Sequence, residues 1–203
     1  ETAKRLAEVF WPGPLTMIFR KKECVPSGTT GGLSTVAVRM PSDEIARELI
    51  RQGGGYIAAP SANVPGRPSP TTAQHVYEDM KGRIPMILDG GPVRIGLEST
   101  IVDLTEEHPV ILRPGYITLS MIRSITGEAE VDRGLIADHS TVRPKAPGMK
   151  YRHYAPRAEL WIVEGPMERV VSYINEKCSA FPGTGIICTE ETREYYPDGV
   201  VKS

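Results

Sequence analysis

Residues 98–103 read Glu98-Ser-Thr-Ile-Val-Asp103, and residues 111–115 read Ile111-Leu-Arg-Pro-Gly115. Each stretch joins a short β-branched or apolar run, typical of a strand, to polar residues or a tight turn. Two further stretches share this pattern: Ser34-Thr-Val-Ala-Val-Arg-Met-Pro41 and Ala58-Ala-Pro-Ser-Ala-Asn-Val-Pro-Gly-Arg-Pro-Ser-Pro70. Hydroxyls, arginines and Pro/Gly turns at strand ends are the composition needed to hold a ligand with phosphate and carboxylate groups at one edge of a sheet.

Predicted strands and helices alternate around these stretches. Strands are expected at 15–19, 35–38, 56–59, 85–89, 100–103 and 110–112. Helices are expected after the caps Ser42 and Ser69 and from Thr118. Several connections between strands are too short to hold a helix, so the pattern predicts an α/β fold with a twisted mixed β-sheet and flanking helices.

Composition shifts along the chain predict its division. We expect a first domain over 1–131 and an interdomain linker over 132–157, where prolines accumulate and apolar periodicity fades. Residues 158–203 then carry a strand at 160–163, a helix begun by Pro166 and a strand at 185–188. That β-α-β order predicts the start of a small Rossmann-like second domain.

Charge and cysteine usage exclude several classes of protein. With 24 Lys and Arg against 25 Asp and Glu, the 203-residue chain has a net charge of −1, so no global field recruits nucleic acid or anionic membrane. Its three cysteines are far apart and form no C-x-x-C pair, which favours a reducing compartment over a disulfide framework or a zinc site. No apolar stretch approaches the length of a membrane span. We therefore expect a cytoplasmic protein without membrane partners.

The strand-end stretches, together with Phe10-Trp-Pro-Gly-Pro-Leu-Thr16, resemble the YrdC-like threonylcarbamoyl-AMP synthases. Ala146-Pro-Gly-Met-Lys-Tyr-Arg-His-Tyr-Ala-Pro156 resembles the linker of the two-domain form of that family. The resemblance implies a YrdC-like sheet and a nucleotidyltransferase that joins L-threonine, bicarbonate and ATP into threonylcarbamoyl-AMP, with release of pyrophosphate. The product would serve a separate tRNA-modifying complex, and any RNA contact by this chain would be weak or local.

The resemblance also implies which residues bind each substrate. The ATP site would be formed by Thr35, Ser61, Asn63, Ser69, Arg113 and Tyr154. The threonine site would be formed by Arg39, the backbone of Ala59, and Ser99. Because the carbamate formed on threonine can itself attack the α-phosphate, the reaction needs no covalent protein nucleophile, and no catalytic residue is separately assigned.

Structural explanations of the same residues remain open. Arg39 is equally well explained as a strand-end arginine paired with a surface acid, and Ser69 as only a helix cap. Ser99 and Arg113 can be ordinary strand and turn residues, although an arginine fixed at a rigid turn is costly to order without a partner. Tyr151, His153 and Tyr154 would form either a lid over the nucleotide or the underside of the linker.

Two expectations concern groups outside these residues. Magnesium would be held chiefly by the triphosphate, and no residue is assigned to a metal. From Thr2 the sequence already has the pattern of the middle of an amphipathic helix, and Glu1 is not a methionine. We therefore expect upstream sequence. In the resembling family that upstream region carries a threonine-holding tyrosine and a Lys-x-Arg motif, and neither stands ahead of Thr2 in this sequence. The alternatives to the synthase are a carbamoyl-AMP-handling or an RNA-binding member of the same superfamily.

Overall fold

The computed structural model describes residues 1–132, 134 and 158–201. Contacts within the chain divide it into two units, Glu1–Ala155 and Pro156–Ser203. In chain order, the elements of the first unit are α1 (Thr2–Phe10), β1 (Leu15–Arg20), β2 (Thr35–Val38), α2 (Glu44–Gln52), α3 (Ala73–Met80), β3 (Thr100–Asp103), β4 (Val110–Arg113), α4 (Leu119–Thr126) and β5 (Glu130–Val131). The second unit contains α5 (Met167–Ala180) and a 3₁₀ helix, Glu190–Tyr195.

The five strands form one sheet in the order β2-β1-β3-β4-β5. The β1–β2 and β3–β4 pairs are antiparallel, whereas the β1–β3 and β4–β5 pairs are parallel. The predicted α/β fold with a mixed sheet is therefore confirmed. In this arrangement the starts of β1 and β3 and the ends of β2 and β4 all lie at the same edge of the sheet.

The core of the first unit lies between the sheet and the helices α1 and α4. Leu6 of α1 and Ile122 of α4 are fully buried with the strand residues Met17, Val102 and Ile111. Burying side chains of this kind contributes about 1.5–3 kcal/mol each. A smaller cluster, which comprises Ile18, Ile101 and Leu112, is buried separately. The helices thus fix the strands whose ends carry the polar residues.

Two of the three predicted helix caps are wrong by a few residues. Asp43, not Ser42, caps α2 and accepts a hydrogen bond from the Ala46 amide at 2.8 Å. Thr72, not Ser69, caps α3, because the hydroxyl of Ser69 is engaged elsewhere, in a bond to Glu98. The Thr118 cap of α4 is confirmed. A sequence with several neighbouring hydroxyl or carboxyl residues offers several caps, and tertiary contacts select among them.

The predicted strands at 56–59 and 85–89 do not form in the structure. Their apolar side chains are largely exposed, as in Tyr56 at 86% and Met86 at 72%. A strand needs a neighbouring chain to pair with, and local composition does not reveal whether one is present. The opposite error occurs at β5, a two-residue strand that the sequence pattern did not predict.

In the second unit, the helix predicted after Pro166 is confirmed as α5. The flanking segments 160–163 and 185–188 are not strands. Within residues 158–201, the backbone pairing of the β type is a single parallel bridge between Ile186 and Val201. The Rossmann-like assignment of this unit stays a prediction. With 14 residues α5 is the longest helix given above. Among the described residues, no helix combines the length and the apolar character that crossing a membrane requires.

Candidate active site

Two of the polar strand ends predicted from the sequence, the start of β3 and the end of β4, meet at the common edge of the sheet. In the parallel pair, Leu15 of β1 lies opposite Thr100 of β3, so the starts of these strands are in register. The antiparallel partner β4 brings Arg113 opposite Ile101 at the same edge. Three segments that are distant in sequence therefore contribute side chains to one small region.

A cluster of hydroxyls around one arginine occupies this edge. The Oγ atoms of Thr16 and Ser99 are 2.8 Å apart. Arg113 donates from Nε and Nη2 to the carbonyl oxygen of Ser99, at 3.1 and 2.9 Å, and from Nη2 to the Ser99 hydroxyl at 3.0 Å. A guanidinium bound along one edge by a carbonyl has a defined plane, which suits the recognition of an oxyanion.

Glu98 completes this cluster. Its Oε2 lies 2.7 Å from Nη1 of Arg113, and its Oε1 accepts a hydrogen bond from the Ser69 hydroxyl at 2.9 Å. The side chains of Arg113 and Glu98 are 34% and 29% exposed, so the ion pair is in contact with solvent. We call Thr16, Ser69, Glu98, Ser99 and Arg113 the edge cluster.

Local backbone features aim Arg113 into the edge cluster. The pairing of β3 and β4 shifts between Ile101 and Val102, so β4 carries a bulge immediately before Arg113. Bulges commonly redirect a side chain near a functional site. The turn that follows packs closely on β3, because a Cβ at Gly115 would lie 2.8 Å from the Thr100 amide nitrogen. Only glycine fits this approach.

Thr100 fastens the segment after that turn. Its hydroxyl donates to the Ile117 carbonyl at 2.8 Å and accepts from the Ile117 amide at 3.1 Å. Thr100 is fully buried and Ile117 is 3% exposed. Because both groups of Ile117 are satisfied by one buried hydroxyl, this pair of bonds holds the Pro-Gly turn in place beside Arg113.

The loop before α3 is held by a second ion pair. Asp79 of α3 pairs with Arg67 and accepts a hydrogen bond from the Val64 amide at 3.2 Å. The side-chain bond from Arg67 lowers the pKa of Asp79 below its usual value. Asn63 donates to the Arg67 carbonyl at 3.0 Å, while its own Oδ1 is buried without a partner among the described residues. The hydrogen-bonding capacity of that oxygen is therefore unused within the described part of the chain.

Arg39 comes to the same edge as the edge cluster, whereas Thr35 does not. Met17 is paired with Val38, the last residue of β2, and Arg39 follows directly. Its exposed guanidinium makes no hydrogen bond or ion pair within the described part of the chain, so the surface ion pair that was its alternative explanation is not formed there. Thr35 lies opposite Arg20, four residues and about 13 Å away along the strand.

The other predicted binding residues are scattered or outside the described residues. Ala59 and Ser61 are exposed in the loop before α3, and within the described ranges neither side chain makes a hydrogen bond to the edge cluster. Tyr154 lies outside the described residues, as do Tyr151 and His153. The predicted linker, 132–157, is described only at Asp132 and Gly134. The roles of all these residues stay predictions.

Sequence reasoning missed Thr16 and Glu98 as members of the site. Both belong to quoted motifs, Phe10–Thr16 and Glu98–Asp103, but neither side chain was given a role. Thr16 reaches Ser99 across 83 residues of sequence. The signal that was available for Glu98 is its position beside Ser99, since an acid next to a predicted anion site needs an explanation.

The chemistry of the edge cluster favours binding over covalent catalysis. No histidine contacts Ser99 among the described residues, where His75 bonds to Thr71 and His108 pairs with Glu128. Within the described ranges, the Ser99 hydroxyl therefore has no histidine that could activate it as a nucleophile. No group of three or more potential metal ligands occurs in the described ranges. Both oxygens of Glu98 are already bonded, so the cluster does not fit magnesium as a protein-held ion.

The fold and the site define an α/β protein with an arginine-bearing hydroxyl cluster at one edge of a mixed sheet. A family model for Sua5, YciO and YrdC proteins, described as "Telomere recombination", matches residues 1–115. A second model, described as "Threonylcarbamoyl-AMP synthase, C-terminal domain", matches residues 117–203. The chain belongs to the Sua5–YciO–YrdC family, in its two-domain form, as the resemblance implied.

The names of curated relatives agree with this family assignment. A threonylcarbamoyl-AMP synthase of Pyrococcus abyssi is 53% identical over 91% of this chain and 54% of its own length. One of Bacillus subtilis is 47% identical over 100% of this chain and 58% of its own length. A crystal structure of P. abyssi Sua5 complexed with L-threonine is 49% identical and superposes with a TM-score of 0.86, over 98% of this chain and 58% of that one. The chain thus spans little more than half the length of these relatives.

Proposed function

We propose that this chain is part of an L-threonylcarbamoyladenylate synthase, a nucleotidyltransferase that uses L-threonine, bicarbonate and ATP. The observation that carries this proposal is the 53% identity to the P. abyssi protein of that name. The related Sua5 structure holds L-threonine, which supports a threonine site in this chain. The edge cluster combines one arginine and three hydroxyls with the carboxylate that holds them, and no histidine contacts it among the described residues; this agrees with a reaction that depends on binding anions.

The chemistry assigns a task to each part of the site. The amine of threonine combines with bicarbonate to give a carbamate and water. A carbamate oxygen then attacks the α-phosphorus of ATP, and the bond to pyrophosphate breaks. Negative charge moves onto the leaving pyrophosphate, so a fixed guanidinium beside the phosphates lowers the barrier. The protein has to orient three anionic groups and offset their charge.

Two arginines fit the two kinds of anion. Arg113 is fixed by Ser99 and Glu98 and would contact the phosphates of ATP. Arg39 makes no bond within the described chain and lies at the same edge, so its guanidinium is available to the carboxylate of threonine. A bidentate contact between arginine and carboxylate is among the stronger charge-assisted hydrogen bonds. The two arginines would therefore hold the two substrates from either side of β1 and β3.

The remaining predicted residues complete the assignment. ATP would also contact Thr35, Ser61, Asn63, Ser69 and Tyr154, and threonine would contact Ala59 and Ser99. Magnesium would travel with the triphosphate, residues 1–131 would form the catalytic domain and 132–157 the linker to the second domain. The intermediate would pass, in the cytoplasm, to a separate tRNA-modifying complex.

The test is calorimetric binding of ATP and L-threonine to the full-length protein, separately and together with bicarbonate and magnesium. Replacing Arg39 by alanine should weaken threonine binding at least tenfold, about 1.4 kcal/mol, and leave ATP binding within threefold. Arg47→Ala is the matched control, because Arg47 is an exposed arginine on α2. Nucleotide binding without any threonine binding would contradict the synthase and favour a carbamoyl-handling enzyme.

A further inference from the structure

Glu98 is the one charged member of the edge cluster that has no role in the proposed reaction. Its carboxylate joins the loop before α3, at Ser69, which precedes Glu98 by 29 residues, to the end of β4, at Arg113. One oxygen accepts from Ser69 at 2.9 Å, and the other lies 2.7 Å from Nη1 of Arg113. A negative group beside an arginine that has to bind phosphates works against that binding through charge. Its presence there therefore calls for a compensating role.

The hydrogen bonds of Arg113 indicate that role. Ser99 binds one edge of the guanidinium, through Nε and Nη2, and Glu98 binds the opposite nitrogen, Nη1. A guanidinium carries five N–H donors in one rigid plane. Contacts along two edges of this plane restrict its rotation about the last side-chain bond, and they leave one N–H of Nη1 for a ligand. Without Glu98, only the Ser99 side would be held.

We propose that Glu98 is a positioning residue, which fixes Arg113 and the Ser69 hydroxyl relative to each other for the phosphates of ATP. The proposal rests on the proposed function, because it takes ATP as the ligand of both residues. Orientation outweighs charge here, since the pair is about one-third exposed and water screens the repulsion between carboxylate and phosphate. Holding both side chains before ATP arrives reduces the ordering that binding has to supply.

Substitutions at Glu98 separate geometry from charge. Glu98→Gln keeps the length and can still accept from Arg113, while its amide can donate to the Ser69 oxygen. Glu98→Ala removes both bonds. We expect ATP affinity of the full-length protein to fall at least tenfold in Glu98→Ala and less than threefold in Glu98→Gln, with threonine affinity changed less than threefold in both. Circular dichroism and the melting temperature check that each variant is folded.

A double-mutant cycle tests whether Glu98 acts through Arg113. In the Arg113→Ala background, Glu98→Ala should weaken ATP binding less than threefold further, because the group it positions is gone. Full additivity of the two changes would overturn the proposal. So would an Ala variant that binds ATP as tightly as the wild type or more tightly, which would mean that the carboxylate only repels. Equal losses of ATP affinity in Glu98→Gln and Glu98→Ala would also overturn it, because the charge of Glu98 and not its geometry would then matter.

A measurement without any ligand keeps this inference separate from the proposed function. The Nε–H of Arg113 donates to the Ser99 carbonyl, so its NMR signal should exchange with solvent more slowly than that of the exposed Arg47. In Glu98→Ala this exchange should become at least tenfold faster, and in Glu98→Gln it should change little. If the wild type binds no ATP, the proposed function fails, while unchanged exchange in Glu98→Ala would overturn the positioning role by itself.

Discussion

Replacing Thr100 by valine removes one hydroxyl and keeps the shape of the side chain. The hydroxyl makes two hydrogen bonds, one to the carbonyl and one from the amide of Ile117, at 2.8 and 3.1 Å. Both residues are buried, at 0% and 3% exposure, so water cannot take the place of the hydroxyl without a rearrangement. The variant would therefore leave a buried donor and a buried acceptor without the partner that they have now.

Each buried group left unsatisfied costs about 1–3 kcal/mol. The two groups together predict a loss of about 3 kcal/mol in the free energy of unfolding, because the additional methyl of valine recovers part of the sum. For a chain of this size that loss corresponds to a fall in melting temperature of about 6–12 °C. ATP binding should weaken as well, since the turn beside Arg113 is no longer fastened.

Calorimetric melting of the wild type and the variant measures this loss, with Thr100→Ser as the matched control. Serine keeps the hydroxyl and lacks one methyl, so it should lose only about 1 kcal/mol. If the valine variant melts at the same temperature as the serine variant, or higher, the two bonds do not stabilise the turn. The account of how Arg113 is held would then be wrong.

Two further predictions concern the supports of the site. Gly115→Ala should lower the melting temperature by several degrees, because the new Cβ would overlap backbone of β3, whereas Gly96→Ala, which has open space around it, should have little effect; equal melting of the two would refute this steric account. The Asp79 carboxyl has a lowered pKa in the folded protein, so its stabilising effect is present above its ordinary pKa of about 3.9 and is lost as the pH falls through the lowered value. Hydrogen exchange of the Val64 amide should therefore accelerate in acid beyond its intrinsic pH dependence, and Asp79→Asn should abolish that additional change.

The sequence correctly predicted strands that are recognisable from the composition of a single segment. Thr35–Val38 and Thr100–Asp103 were placed correctly because β-branched runs ended by polar residues are typical of strands. The segments at 56–59 and 85–89 have similar composition but no pairing partner in the structure. Pairing is a property of two segments, so one segment alone does not decide it.

The sequence also singled out part of the edge cluster. Ser99 and Arg113 were proposed because hydroxyls and arginines at strand ends have a recognisable chemistry; the structure brings the two residues into contact, and their roles stay predictions. Their contact, and the place of Glu98 between Arg113 and Ser69, depend on the order of the strands and on the bulge in β4. The position of the Ser69 hydroxyl also depends on tertiary structure. Thr72 caps α3, so the Ser69 hydroxyl is not needed there and bonds to Glu98.

The parallel pairing of β1 with β3 has a consequence for the order in which the protein folds. The antiparallel pairs β1–β2 and β3–β4 each join segments that are near in sequence, whereas the bond from Thr16 to Ser99 spans 83 residues. Contacts of such long range form slowly, because a large loop has to close before they are made. Each half of the sheet can thus assemble early while the ligand site does not yet exist. The ability to bind ligand would mark the completion of folding, not its beginning.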